Sequence, residues 1–154
     1  DGTDILTVEN PSYEGLTHRR TVWFVDRRFF VIEDVATGVA AGRVALHYNL
    51  AECQPEEELA AGRVATRFED GNNLVLQVFG AEAAEPREGW VSHVYRSRNP
   101  RPAYAFTAEK RPGREVRFIT VLLPTEHPAE AKIKAERRRG TIRVTVDGRK
   151  YDLK

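Results

Sequence analysis

Alternation with a period of two residues, cut at short intervals by turn dipeptides, restricts this chain more than any other feature of its sequence. Ile142, Val144 and Val146 alternate with Thr141, Arg143 and Thr145, and Asp147-Gly148 then leads into residues 149 to 153. A strand sends successive side chains to opposite faces, so the pattern reads as a half-buried strand. Asp-Gly suits the positive φ angles of a type I′ turn, which makes the unit a hairpin. Val64, Thr66 and Phe68 run into Asp70-Gly71-Asn72-Asn73, and Leu74, Leu76 and Val78 follow as a second hairpin. Val116, Phe118, Thr120 and Leu122 form a third stripe after Pro112-Gly113, with Tyr104, Phe106 and Ala108 on the strand before that turn. Because Ile119, Val121 and Leu123 are apolar too, residues 117 to 123 are expected to be covered on both faces.

The β-branched and aromatic segments 21–25 and 29–32 flank Asp26-Arg27-Arg28 and favour a meander over a helix. Residues 42 to 50 and 90 to 95 add further strands. Helical signals are thin. Residues 55 to 61 open with Pro and three Glu but stop at Gly62, which allows two turns at most. From His127 to Arg139 the composition suits a helix, yet Ala131, Ile133 and Ala135 alternate with Lys132, Lys134 and Glu136, which favours a strand. The expected fold is all-β: an antiparallel β-sandwich of ten or more strands with little helix, one domain over residues 1–154.

The 154 residues are 41% apolar, enough to fill a core. Lys and Arg number 24 against 23 for Asp and Glu, a net of +1, which argues against a basic nucleic-acid module. No apolar run approaches the roughly 18 residues that cross a bilayer, and the start, Asp1-Gly2-Thr3-Asp4, does not read as a signal peptide. Neither nucleic acid nor membrane is expected as a partner. The absence of Met, including at position 1, points to a piece of a longer or processed chain.

Chemistry is sparse. Cys53 is the only cysteine, between Glu52 and Gln54 in a loop-like stretch, and reads as a structural thiol. His18, His47, His93 and His127 show no local zinc-ligand spacing. Asp70-Gly71-Asn72-Asn73 lacks the remaining oxygen ligands of a calcium loop. Arginines cluster at 19, 20, 27 and 28, at 96, 98 and 101, and at 137 to 139. Charge-compensated solvated surface accounts for most of them. The sharper reading is anion recognition, since guanidinium forks grip carboxylate or sulfate in pairs of hydrogen bonds and aromatic rings stack on sugar faces. Trp90, Tyr95, Arg96 and Arg98 form the candidate substrate-binding set, provided they share a face. On a regular strand, Trp90 and Ser92 would point opposite to His93 and Tyr95.

The run Tyr13-Glu14-Gly15-Leu16-Thr17-His18-Arg19-Arg20, with the strand pair that follows it to Glu33-Asp34, resembles the C-terminal β domain of heparinase II/III-like polysaccharide lyases. In that family a Tyr-x-Gly-x-x-His-x-Arg segment precedes a strand, a basic turn and a second strand ending in Asp. Gly89-Trp90-Val91-Ser92 with Tyr95, and residues 118 to 124, resemble its later strands in order. The resemblance implies a bacterial, secreted or periplasmic parent enzyme. In it an N-terminal α/α toroid would precede the β-sandwich, and the enzyme would cleave acidic, uronate-containing polysaccharide by β-elimination. The family's catalytic and metal-ligating residues belong to the toroid and to His-x-Asp and His-Asn-Thr motifs upstream of the matched segment. Neither motif occurs here. No catalytic or metal residue is therefore carried over, no cofactor is expected in this chain, and a divalent metal is implied for the parent alone. His18 is expected to play a structural role, its ring bonding a neighbouring strand or loop. Scaffold and cleft wall is the expected role of the chain, and a non-catalytic carbohydrate-binding or structural module is the alternative. A sandwich that lacks part of its parent is expected to leave an edge unpaired or exposed.

Overall fold

A computed structural model describes residues 2–154. The strands in chain order are β1 (Asp4–Tyr13), β2 (Leu16–Val25), β3 (Phe29–Gly38), β4 (Gly42–Asn49), β5 (Glu56–Glu58), β6 (Arg63–Ala65), β7 (Asn73–Phe79), β8 (Ala83–Arg87), β9 (Trp90–Val91), β10 (Asn99–Pro100), β11 (Ala103–Lys110), β12 (Val116–Thr125), β13 (Ile133–Arg138), β14 (Thr141–Val146) and β15 (Arg149–Leu153). Helix is confined to two 3-10 turns, Leu59–Ala61 and Pro128–Glu130. The all-β expectation holds. Among the described residues no helix is long and apolar enough to cross a membrane.

A seven-stranded antiparallel sheet, ordered β1-β2-β3-β12-β7-β6-β5, forms the middle of the molecule. One face carries the three-stranded sheet β13-β14-β15, the other the three-stranded sheet β4-β11-β8. Period two decides which residue serves which core. Val31, Val75, Ile119 and Val121 pack with Ile142, Val144 and Val146, while Leu76, Val78, Val116 and Phe118 pack with Leu46, Tyr104 and Phe106. The stack thus has three layers. The apolar residues on both sides of β12 need this, because it lies between β3 and β7 and is covered above and below.

The Asp147-Gly148 hairpin forms as expected, with both residues at positive φ (49° and 85°). The β2–β3 hairpin closes on Asp26 and Arg27, also at positive φ (50° and 54°). Two local readings need correction. Residues 55 to 61 form no helix; Glu56–Glu58 pairs with β6, and only Leu59–Ala61 winds into a 3-10 turn closed by Gly62. The Pro112-Gly113 turn forms where expected, between β11 and β12, and carries the chain from a small sheet to the large one. The segment 90–95 is strand only at Trp90–Val91.

β1 is exposed along its length. It pairs with β2 alone, and Ile5, Leu6, Val8 and Tyr13 all stand in solvent.

Candidate functional site

The first motif of the sequence is gathered into one cleft. Tyr13 and Leu16 are register partners at the β1–β2 turn, which Gly15 makes possible at φ 67°. Period two then sends His18 and Arg20 to the face shared with β4, and Arg19 to the opposite face. Asp34 stands directly across from Arg20 on β3 and is almost wholly buried, at 2% exposed. One of its oxygens accepts from Arg20 Nε at 2.7 Å and lies 2.6 Å from His18 Nε2; the other accepts from Arg20 Nη2 at 3.1 Å. Both carboxylate oxygens are thus engaged, and the hydrogen bond to Asp34 is the largest cause that raises the Arg20 pKa. The His18 ring thereby bonds the neighbouring strand β3.

Above this pair a cavity of about 470 Å3 opens between the large sheet and β4, lined by Tyr13, His18, Asp34 and Phe118 on one side and by Arg43, Val44 and Leu46 on the other. Deeper along β4, Tyr48 donates to the Thr120 hydroxyl at 3.0 Å. Burial pushes the Tyr48 pKa up, and nearby Asp34 adds to the shift. The mouth of the cleft is held by a close backbone approach. A Cβ on Gly38, at φ 106°, would lie 2.3 Å from the Gly15 carbonyl oxygen.

The residues singled out for anion and sugar recognition lie on the excursion between β9 and β10. Trp90 and Val91 pair with Pro100 and Asn99, and the residues between them turn back on themselves. The Ser92 hydroxyl donates to the Val94 carbonyl, and Arg96 adopts positive φ, 63°. The strand alternation expected for 90–95 therefore does not govern these side chains. Arg98 lies over the Trp90 ring at 4.2 Å from its centroid, and Arg96 lies over Tyr95 at 5.3 Å. Each ring takes its own guanidinium, at a distance suited to cation–π attraction. The Trp90 indole also donates to Glu88 at 2.9 Å. His93 Nε2 lies 2.5 Å from Glu52, which draws the excursion onto the loop after β4. That contact is the largest cause holding the Glu52 carboxyl below its usual range, and Asn99 contributes. Gly89 sits at the foot of the excursion, where a Cβ would meet Ala103 Cβ at 2.6 Å and the Arg101 carbonyl at 2.7 Å.

Sequence reading did not join Arg20 and Asp34 to His18 as one array. The available signal was the shared parity of His18 and Arg20; register with Asp34 needed the hairpin. Among the described residues no three His, Cys, Asp or Glu side chains gather, so this chain by itself offers no complete site for the divalent metal implied for the parent.

Three antiparallel layers, a motif-lined cleft and an Arg-capped Trp loop make up this all-β chain. The family described as Heparinase II/III-like, C-terminal, matches residues 1–144, and the chain belongs to it. A heparin-sulfate lyase from Bacteroides stercoris is 39% identical over 163 residues, covering 97% of this chain and 24% of the relative. One from Pedobacter heparinus is 31% identical over 157 residues, covering 95% and 24%. A heparinase III structure superposes with a TM-score of 0.93 at 36% identity over 99% of this chain and 26% of its own. A heparan sulfate lyase structure from Pedobacter heparinus gives 0.91 at 30% identity, covering 98% and 25%. The chain spans about a quarter of the length of the curated relatives it matches.

Proposed function

We propose that this chain is the scaffold and one cleft wall of a lyase that cleaves acidic, uronate-containing polysaccharide by β-elimination, acting in a secreted or periplasmic setting. The superposition on heparinase III at 36% identity over 99% of the chain carries this reading. β-Elimination removes the proton at C5 of a uronic acid and needs a poised base and groups that stabilise the developing negative charge. The chain contributes binding and positioning, and the base is supplied by the remainder of the parent. Arg98 on Trp90 and Arg96 on Tyr95 present fixed guanidinium groups for the sulfates and carboxylates of the substrate. The preceding α/α toroid of the parent docks against the side where Leu6, Val8 and Phe30 are exposed.

Two measurements test the proposal. The chain alone, mixed with heparin, heparan sulfate, chondroitin or alginate, is expected to yield no unsaturated-uronate absorbance; product from it overturns the division of labour. Calorimetric titration with a heparan sulfate oligosaccharide is expected to show binding that weakens in Trp90→Ala and in Arg98→Ala. Binding untouched by either change moves the substrate wall elsewhere. Binding with no cleavage by the full-length parent turns the reading into a non-catalytic carbohydrate-binding module.

A further inference from the structure

We infer that the opposite face of the large sheet carries a second binding site, a small oxoanion pocket beneath the β13–β14 hairpin tip. A cavity of about 210 Å3 lies there between the large sheet and β13-β14-β15, and Arg19, Arg117, Arg137 and Lys154 all line it. Arg117 is held as a fixed centre: one terminal nitrogen donates to Glu33 and the other to Glu115 at 3.0 Å. Arg137 shares Glu115 at 3.4 Å. Arg117 Nε is buried with no protein acceptor. A buried donor left unpaired calls for a further partner, an ion or water, in its surroundings.

The two acids are thus spent on two of the four cations. Among the described residues neither Arg19 nor Lys154 makes an ion pair within 4 Å; Glu9 stands across from Arg19 in the β1–β2 register and offsets part of its charge, which leaves Lys154 and the buried Arg117 Nε as the open donors. Thr141 adds a hydroxyl and Gly140 open backbone at the hairpin end. The cavity is below the roughly 300–1,000 Å3 of pockets that enclose whole small molecules. What it fits is one tetrahedral or planar oxoanion group, sulfate above all, gripped by guanidinium and ammonium donors. Such a group reaches the protein either as a free ion or as an ester on a glycan. Period two separates this site from the cleft: Arg19 points away from its neighbours His18 and Arg20. The inference goes beyond the lyase reading and does not rest on it.

Trp23 lines the cavity, with its indole donating to the Lys154 carbonyl at 3.3 Å, and so reports on occupancy. In a Trp90→Phe background its fluorescence is titrated with sodium sulfate and, at matched ionic strength, with sodium chloride. A parallel arm uses a sulfated heparin disaccharide, and calorimetry repeats each titration. The expected result is a saturable response to sulfate and none to chloride. Affinity falls about tenfold in the Arg19→Gln/Lys154→Gln double variant and is unchanged in Lys134→Gln. Both changed residues are exposed, and the unfolding midpoint in chloride verifies that each variant folds. Tighter binding of the disaccharide than of sulfate identifies a glycan-borne group; equal or weaker binding identifies the free ion. No saturable signal by either method, or undiminished affinity in the double variant, overturns the site. Failure of the parent to cleave polysaccharide leaves it standing.

Discussion

Asp34→Asn should be among the most damaging conservative changes in this chain. The side chain keeps its shape but loses its charge, and its amide nitrogen turns a donor towards the donors of Arg20. The two bonds from Arg20, at 2.7 and 3.1 Å, and the contact with His18, at 2.6 Å, lose their charge assistance, and the oxygen replaced by an amide nitrogen no longer accepts. A hydrogen bond to a charged group contributes roughly 1.5–3 kcal/mol, and removing one partner of a fully buried pair costs about 3–5 kcal/mol. Arg20 and His18 are 37% and 31% exposed, so water recovers part of their solvation and the lower end applies. The expected loss is about 3 kcal/mol, a large part of the roughly 5–15 kcal/mol that holds a domain folded. Urea denaturation at neutral pH should show a lower midpoint with an unchanged slope, and the melting temperature should drop by about 6–12 °C. Asp152 supplies the control. It receives the same two-bonded grip from Arg143, at 2.6 and 2.7 Å, but at the surface. Asp152→Asn should leave the midpoint within experimental scatter, because an exposed pair is screened. Equal losses from the two substitutions, or a loss below about 1 kcal/mol at Asp34, would refute the claim that burial sets the value of this array.

Three further outcomes follow from the same reasoning. Arg27→Gly should raise stability by about 0.5 kcal/mol in the same urea titration, since Arg27 holds a left-handed conformation that glycine adopts at less cost. Gly38→Ala should lower it by about 2 kcal/mol or more, because alanine there meets both unfavourable φ and the Gly15 carbonyl. At high pH, Tyr48 and Tyr104 keep their protons in the folded chain above the ordinary phenol value of 10, chiefly through burial, with the Glu57 contact adding at Tyr104. Their contribution is therefore complete below about pH 10 and is lost as pH rises beyond it. Circular dichroism against pH should show alkaline unfolding that moves to higher pH in Tyr48→Phe and in Tyr104→Phe.

Local chemistry made much of the fold legible. Strand identity followed from period two at 141–146 and 116–123, and Asp147-Gly148 specified its hairpin by the positive φ that both residues adopt. The Trp90 excursion shows where this stops. Ser92 and Arg96 bend the chain out of the ladder, and the contact that draws it onto its neighbour comes from Glu52, 41 residues away. The Arg98–Trp90 and Arg96–Tyr95 pairs were adjacent enough in sequence to nominate, but their stacking depended on that bend.

What the residues determined unaided was the strand class, the main turns, and the face each alternating side chain must take, because these depend on neighbours one or two positions apart. The tertiary structure alone decided which strands share a sheet. Pro112-Gly113 looks like a hairpin turn yet carries the chain from one layer to another, since hydrogen-bond partners of β11 and β12 come from β4, β8, β3 and β7. It also decided that His18 and Arg20 converge on Asp34 while Arg19 turns to a different cavity. Parity assigns a side chain to a face, but burial and distant pairing assign it a partner.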